Sequence, residues 1–327
     1  MFLGVDGGGT KTALCAVDDA SRVLARVTAP TIYYFAHGID LVSEVLGPAV
    51  REVCASAGGT PADVAFAFFA MPGYGEVSAD VPVLDAAPAQ ALGHERYRCD
   101  NDMVAGWAGS LGGVDGVNVI SGTGSMTYGE RAGHGVRVGG WGELFGDEGS
   151  AYWIATRGLT AFSRMADGRQ EPGPLLDVLR EHLQLTSDLD LVDVVLNRWQ
   201  GARGPIAALC PQVVAAAEAG DRASAAILTD AGTELALLVQ ATRNRLEWPA
   251  EETMPVSWSG GALTADRLLE AFTRALIEQP AAVDLRRPLL APDIGAALHA
   301  ARLSGRPIGR SAVTRLAEDH HPTLAVA

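Results

Sequence analysis

Four stretches of this chain carry residue types that could hold and move a phosphate. The first is Asp6-Gly7-Gly8-Gly9-Thr10-Lys11-Thr12. Three consecutive glycines let a backbone turn tightly with its N–H groups exposed to an anion, and threonine hydroxyls at 10 and 12 add donors. Lys11, the only lysine in the sequence, supplies a point charge. Asp6 ends a short apolar run and suits a water of a hydrated Mg²⁺. A P-loop would need glycine directly before the lysine, where Thr10 stands, and a dinucleotide fingerprint would need glycine in place of Thr12. The second stretch, Ser121-Gly122-Thr123-Gly124-Ser125, repeats the glycine-and-hydroxyl pattern. Either turn alone is better read as a plain β-hairpin. Two of them in a repeated context are much more specific.

The third stretch is Cys99-Asp100-Asn101-Asp102, just ahead of a helix expected from Met103 to Gly109. Asp102 reads either as a helix N-cap or as a general base that accepts a proton from a substrate hydroxyl, a role worth roughly 10²–10⁴ in rate. The fourth, Gly139-Gly140-Trp141-Gly142-Glu143-Leu144-Phe145-Gly146-Asp147-Glu148-Gly149-Ser150, is the densest. Its glycines, Gly140 among them, bring backbone close to a ligand, and Glu143, Asp147 and Glu148 offer acceptors to a polyhydroxylated one. Acids ahead of a helix also favour its dipole. Trp141 is read as core rather than as a stacking platform. Gly260-Gly261, following an apolar run, would let a nucleoside lie on the backbone, or is an ordinary strand-to-helix turn.

The elements around these stretches follow one pattern twice. Phe2 to Asp6, Thr12 to Asp18 and Val23 to Thr28 read as strands separated by turns, and so do Val117 to Ser121, Met126 to Glu130 and Val136 to Gly139. The repeat, about 115 residues apart, predicts two similar α/β halves, each presenting a glycine turn. Gly38 to Ala57 has helical periodicity, with Pro48 expected to kink or end it. Val64 to Ala70 reads as a strand covered on both faces. From Ser150 the chain is mainly helical, then Val256 to Ser259 is a strand. Pro292 to Gly295 is expected as a turn opening a helix from Ala296 to Leu303.

Composition removes several function classes. With 25 basic and 39 acidic residues among 327, a formal charge of −14 disfavours nucleic-acid binding. The longest apolar run, Val64 to Pro72, is far short of the ~20 residues that span a bilayer, and Asp6 interrupts any secretory signal. Cys15, Cys54, Cys99 and Cys210 are scattered without a CxxC pair, as expected of reduced, buried thiols in a cytoplasmic protein. His37 and His134 are expected on loop surfaces.

Taken in order, FLGVDGGGTKTALCAVD, the DND of 100–102, VISGTGS and GGWGELFGDEGSAYWI resemble N-acetylglucosamine kinases and bacterial glucosamine kinases. These belong to the BadF/BadG/BcrA/BcrD ATPase group, within the sugar kinase, actin and heat-shock chaperone superfamily. The likeness is strong from Met1 to about Thr160 and weaker from Val256 to Leu303. It implies an α/β fold of two ribonuclease-H-like, actin-like ATPase domains with an inter-domain active-site cleft: 1–113, with a helix at about 305–327 packing back on it, and 114–304 with a helical insertion. It implies ATP and Mg²⁺ as cofactors, with the γ-phosphate passing to a sugar 6-hydroxyl. By the same resemblance Asp102 is the catalytic base and Asp6 the water-mediated magnesium site. Gly8, Gly9, Thr10, Lys11, Thr12, Gly122, Thr123, Gly124 and Ser125 hold phosphate, and Gly260 and Gly261 hold adenosine. The sugar falls to Asp100, Asp102, Tyr33, Thr123, Gly140, Glu143, Asp147 and Glu148.

Where N-acetylglucosamine kinases place a sugar-contacting asparagine, this chain has Tyr33-Tyr34-Phe35. Glucosamine carries an amine near its titration point, with ~7.7–8.0 as an α-amino reference, and the acids near the site would favour its ammonium form. Glucosamine is therefore the expected substrate, with N-acetylglucosamine the alternative. An activator ATPase of a radical dehydratase shares the group but needs paired cluster cysteines, and a sugar-responsive regulator would need an N-terminal helix-turn-helix. The expected partners are ATP and an amino sugar, without nucleic acid or membrane, and a homodimer is compatible with the sequence.

Overall fold

The computed structural model describes residues 1–320 and divides into two compact units. The first comprises Met1–Asp115 together with the described residues from Arg287 onward, and the second is Gly116–Arg286.

In the first unit, strands β1 (Phe2–Gly7), β2 (Lys11–Val17), β3 (Val23–Pro30), β4 (Phe66–Met71) and β5 (Tyr97–Asn101) form one sheet in the order β3-β2-β1-β4-β5. The pairs β1–β2 and β2–β3 are antiparallel, whereas β4 and β5 run parallel to β1. Side chains alternate across β1. Leu3 and Val5 join a core shared with Val42, Leu46, Val50 and Val53 of the helix Asp40–Ser56 and Leu84 of the helix Val81–Leu92. On the opposite face Cys15 and Val17 of β2 pack with Ile294, Ala297 and Leu316.

The helix Pro292–Leu303 lies so close to β1 that a Cβ on Gly4 would collide with the backbone of Asp293 and Ala297. Beside it runs the helix Asp102–Leu111. Gly109 and Gly295 meet where the two helices touch, and a Cβ on Gly295 would strike the Gly109 backbone and stand 2.8 Å from the Ala105 carbonyl.

Two expectations change here. Gly295 sits inside a helix that starts at Pro292, not in a turn before it, because its missing side chain is what permits the crossing with Gly109. The segment 287–304, expected in the second domain, belongs to the first unit for the same reason: its small-residue face is buried on β1. The helix Arg310–Asp319 also lies in the first unit, and residues 321–327 of the expected C-terminal helix lie outside the described residues. The helix Asp40–Ser56 continues through Pro48, so burial of its apolar face outweighs the lost backbone bond.

The second unit repeats the first. Its strands β6 (Gly116–Ser121), β7 (Ser125–Arg131), β8 (His134–Gly139), β9 (Met254–Ser259) and β10 (Val283–Leu285) take the order β10-β9-β6-β7-β8. Read from the other edge, that is the order of the first sheet, with β6–β7 and β7–β8 antiparallel and β9 parallel to β6. Between β8 and β9 the expected helical region is present, including Ala151–Ala166 and Arg222–Arg245, and these helices supply much of the core with Val117, Val119 and Val256. All four cysteines are buried and free. No helix among the described residues is long and apolar enough to cross a membrane.

Candidate active site

In the first unit the acids gather at the carboxyl ends of the parallel strands. Asp6 and Asp100 align with the same residue, Ala70 of β4, so they sit in one row across β1, β4 and β5. Burial pushes the Asp6 carboxyl up to about 8, helped by the charges of Asp102 and Asp293, with Lys11 pulling the other way. A carboxylate so placed is incompletely compensated and favours a nearby cation.

Asp293 is held by a two-pronged bond from Arg26, Nε–Oδ2 at 2.7 Å and Nη2–Oδ1 at 2.8 Å. Asp102 opens the helix Asp102–Leu111, but the cap is its neighbour: Asn101 Oδ1 accepts from the Met103 N–H at 3.3 Å. The cap of this helix is therefore Asn101 and not Asp102. Asp100 turns back on the chain, accepting the Asn101 N–H at 2.8 Å, and burial raises its pKa.

The hairpin Gly8–Lys11 closes through Gly8 N–H to the Lys11 carbonyl at 2.8 Å. Its tip is open. A Cβ on Gly9 would meet nothing within 4 Å, and Gly9, Thr10 and Lys11 are all exposed. Thr12 is different from its expectation: it is fully buried and its hydroxyl donates to the Pro30 carbonyl at 2.8 Å, tying β2 to β3 instead of facing a phosphate. Thr31 Oγ1 donates to the Gly8 carbonyl at 2.7 Å and accepts from the Tyr33 N–H, so Tyr33 is anchored to the hairpin. Tyr34 is core, its hydroxyl bonded to Asp80, and Phe35 covers Gly73.

In the second unit Gly122–Gly124 is fastened on every side. Gly122 N–H bonds the Gly124 carbonyl at 2.9 Å, and the Gly122 carbonyl accepts from Ala151 N–H, in the first turn of the helix Ala151–Ala166, at 2.8 Å. Ser121 and Ser125 donate to the carbonyls of Gly149 and Glu148 at 2.8 and 2.6 Å. Ser125 is therefore buried and occupied, contrary to its expected phosphate role, whereas Thr123 is exposed. Gly140 N–H donates to the Ser125 carbonyl, and Arg137 donates to the Gly140 carbonyl. Gly260, at φ 92°, lies against the same turn: a Cβ there would collide with the Ser121 carbonyl. β9 lies beside β6 in parallel, which brings Gly260 to the Ser121–Gly122 backbone. Gly261 follows it, exposed.

Asp147 is the fastener. It adopts φ 56°, unusual for a non-glycine. Only 3% exposed, its carboxylate accepts the backbone N–H groups of Ser125 and Gly142 and an Arg203 Nη2 bond at 2.5 Å. Burial raises its pKa, and Arg203 opposes the shift. Asp147 thus holds the second glycine turn to the glycine-rich segment, with its carboxylate buried under Arg203 and not open to a sugar as expected. Glu143 and Glu148 remain partly exposed. Trp141, expected in the core, is 73% exposed, because the flanking Gly140 and Gly142 adopt positive φ and carry the segment outward. Arg203 was not singled out by sequence reasoning: it reaches Asp147 across 56 residues from the short helix Arg203–Ala207.

Open glycine turns fit a polyphosphate backbone. Among the described residues no three His, Cys, Asp or Glu side chains converge on a metal point; Asp6, with the charges of Asp102 and Asp293 acting on it, is a carboxylate whose charge a cation would offset.

Comparison with known proteins gives the family and the fold. The sequence profile of the BadF/BadG/BcrA/BcrD ATPase family matches residues 3–300. The chain belongs to that family. It is 32% identical over 316 residues to N-acetyl-D-glucosamine kinase of Dictyostelium discoideum, covering 91% of this chain and 97% of that protein. It is 28% identical to N-acetylmuramic acid/N-acetylglucosamine kinase of Clostridium acetobutylicum, covering 84% and 89%. Of solved structures, one from Chromobacterium violaceum aligns with TM-score 0.70 at 24% identity, covering 90% and 97%. The ROK hexokinase of Thermus thermophilus aligns at 0.58 and 17%, covering 93% and 99%, and at these identities both show the fold: two actin-like ATPase domains.

Proposed function

We propose that this ATP-dependent sugar kinase phosphorylates the 6-hydroxyl of N-acetylglucosamine, with Asp102 as general base. The observation that carries the reading is the repeat: each unit's sheet presents a glycine turn at the equivalent position, one with Lys11 and Asp6 and the other with Thr123, and in the first unit Asp102 opens a helix whose cap is Asn101. Both similar curated proteins are named as N-acetylglucosamine kinases, which supports the acetylated sugar.

The case for glucosamine rested on an acidic pocket attracting an ammonium, and that pocket is weaker than the sequence suggests. Asp147 is buried under Arg203, and Asp100 is bonded to its own backbone. Glucosamine stays as a second reading because Tyr33, fixed beside the hairpin through Thr31, stands where the family resemblance implies a sugar-contacting asparagine.

In the proposed reaction the Gly8, Gly9 and Thr10 backbone with Lys11, and the turn Gly122–Gly124, hold the triphosphate. Gly260 and Gly261 offer flat backbone to adenosine. Glu143, Glu148, Gly140 and Tyr33 orient the sugar, and exposed Trp141 gives it an apolar face. Asp102 accepts the 6-hydroxyl proton as that oxygen attacks the γ-phosphorus, the bond from the γ-phosphorus to the bridging oxygen breaks, and ADP leaves with the electron pair. Such transfers depend on positioning and on stabilising charge on the moving phosphoryl group. Asp6 would hold a magnesium ion through water, and the ion would neutralise charge on the phosphates. The chemistry belongs in a soluble compartment that contains ATP, such as the cytoplasm.

A sugar panel with coupled ADP detection tests the reading. N-acetylglucosamine is expected to turn over at least about tenfold more efficiently than glucosamine, a difference of roughly 1.4 kcal/mol. The reverse order would restore glucosamine, and turnover of neither would remove the reading.

A further inference from the structure

Arg203 stands where the two halves of the second unit's site meet. Its Nη2 bonds Asp147 at 2.5 Å, and its Nε lies 3.6 Å from Glu143, inside ion-pair range but beyond a hydrogen bond. The same guanidinium lies against the phosphate turn, since a Cβ on Gly124 would collide with it. The Nε–H is buried and has no acceptor, although a third of the side chain is exposed. A buried charged donor without an acceptor is costly. It is retained here beside a turn whose backbone suits an anion. The carboxylates it faces are Glu143 and Asp147.

We propose that Arg203 is a catalytic residue that contacts the transferred phosphoryl group of ATP from the side of the second glycine turn. This rests on the kinase reading given above. A guanidinium offers five donors in a planar fork, so one prong can keep Asp147 while others reach phosphate oxygens. Charge develops on those oxygens as the β–γ bond loosens, and a fixed cation there lowers the barrier more than it strengthens ground-state binding. Its place on a short helix in the helical insertion also gives that insertion a function.

The test compares the full chain with Arg203→Gln and Arg203→Lys. For Arg203→Gln, kcat is expected to fall at least about 100-fold. Affinity for the non-hydrolysable β,γ-imido analogue of ATP should weaken about tenfold or more, while ADP, which lacks the γ-phosphate, stays within about threefold. Added guanidinium ion should restore part of the lost turnover. Arg203→Lys keeps the charge without the fork, should melt like the parent, and should remain at least about tenfold slow. A purely structural role predicts instead equal loss of ADP and analogue binding, no rescue, and a lowered melting temperature in both variants. That pattern, or kcat within about threefold of the parent in either variant, overturns the assignment. A parent enzyme that phosphorylates no amino sugar overturns the kinase reading, and the Arg203 role with it.

Discussion

The two glycine hairpins occupy the same place in sheets of the same strand order, but they are held in opposite ways. The first projects freely: Gly9 has no neighbour that a side chain would meet, Lys11 is exposed, and Thr31 alone ties its flank from outside the hairpin strands. The second is bolted down by Ser121, Ser125, Asp147, Gly140 and the start of the helix Ala151–Ala166. One topology thus carries a charged, accessible turn in the first unit and a tightly bonded one in the second. The acids also separate. In the first unit burial raises the pKa of Asp6 and the charges of Asp102 and Asp293 add to it, whereas in the second Arg203 opposes the rise that burial causes at Asp147.

Four substitutions or conditions probe this division. The largest effect belongs to Asp102→Asn, which should lower kcat at least about 100-fold, roughly 2.7 kcal/mol in the barrier, while nucleotide binding by calorimetry is retained. Retained turnover would move the base elsewhere.

Next, Gly124→Ala and Gly9→Ala compare the hairpins directly. A Cβ on Gly124 would stand 2.7 Å from Asp147 Oδ2, so this variant should lose about 1–3 kcal/mol of stability and also ATP affinity. Gly9→Ala should melt like the parent and show only a raised KM for ATP. Equal melting temperatures would erase the proposed difference in rigidity.

Gly295→Ala addresses the first unit's frame. Overpacking the Gly109 crossing should cost a similar ~1–3 kcal/mol in chemical denaturation, with KM for ATP little changed in the folded fraction.

The smallest effect is one of pH. His299 is buried between Phe68 and Trp107, and burial, then the Arg302 and Arg98 charges, lower its pKa to about 3 from 6.5. The folded state therefore keeps it neutral while the unfolded chain protonates. Stability should be full above pH 6.5 and decline below it, by up to about 1.4 kcal/mol per pH unit until about 3. Urea midpoints between pH 7 and 5 for the parent and His299→Phe measure it, and parallel curves would show that the imidazole protonates in the fold.

Much of this was legible in the sequence because it is local. Both glycine turns, the strands that flank them and the acid row come from contiguous patterns, and the repeat made them specific. What sequence concealed depends on distant contacts. Thr12 and Ser125 looked like phosphate ligands, but which way a hydroxyl faces is set by Pro30 and Glu148. Gly295 looked like a turn residue because its partner, Gly109, is far along the chain. Arg203 had no local signal at all. The helix Val81–Leu92 and the three-residue strand β10 carry patterns too weak to stand out before the sheet order is known.

The unique lysine allows the central claim to be tested directly. Reductive methylation with ¹³C-formaldehyde retains the charge and labels only Lys11 and the Met1 amine, which serves as the reference. Titration with Mg-ATP is expected to shift the Lys11 resonance, saturating at the concentration that half-saturates turnover, and to leave Met1 in place. A Lys11 signal that stays fixed while the enzyme is saturated with ATP would contradict the account.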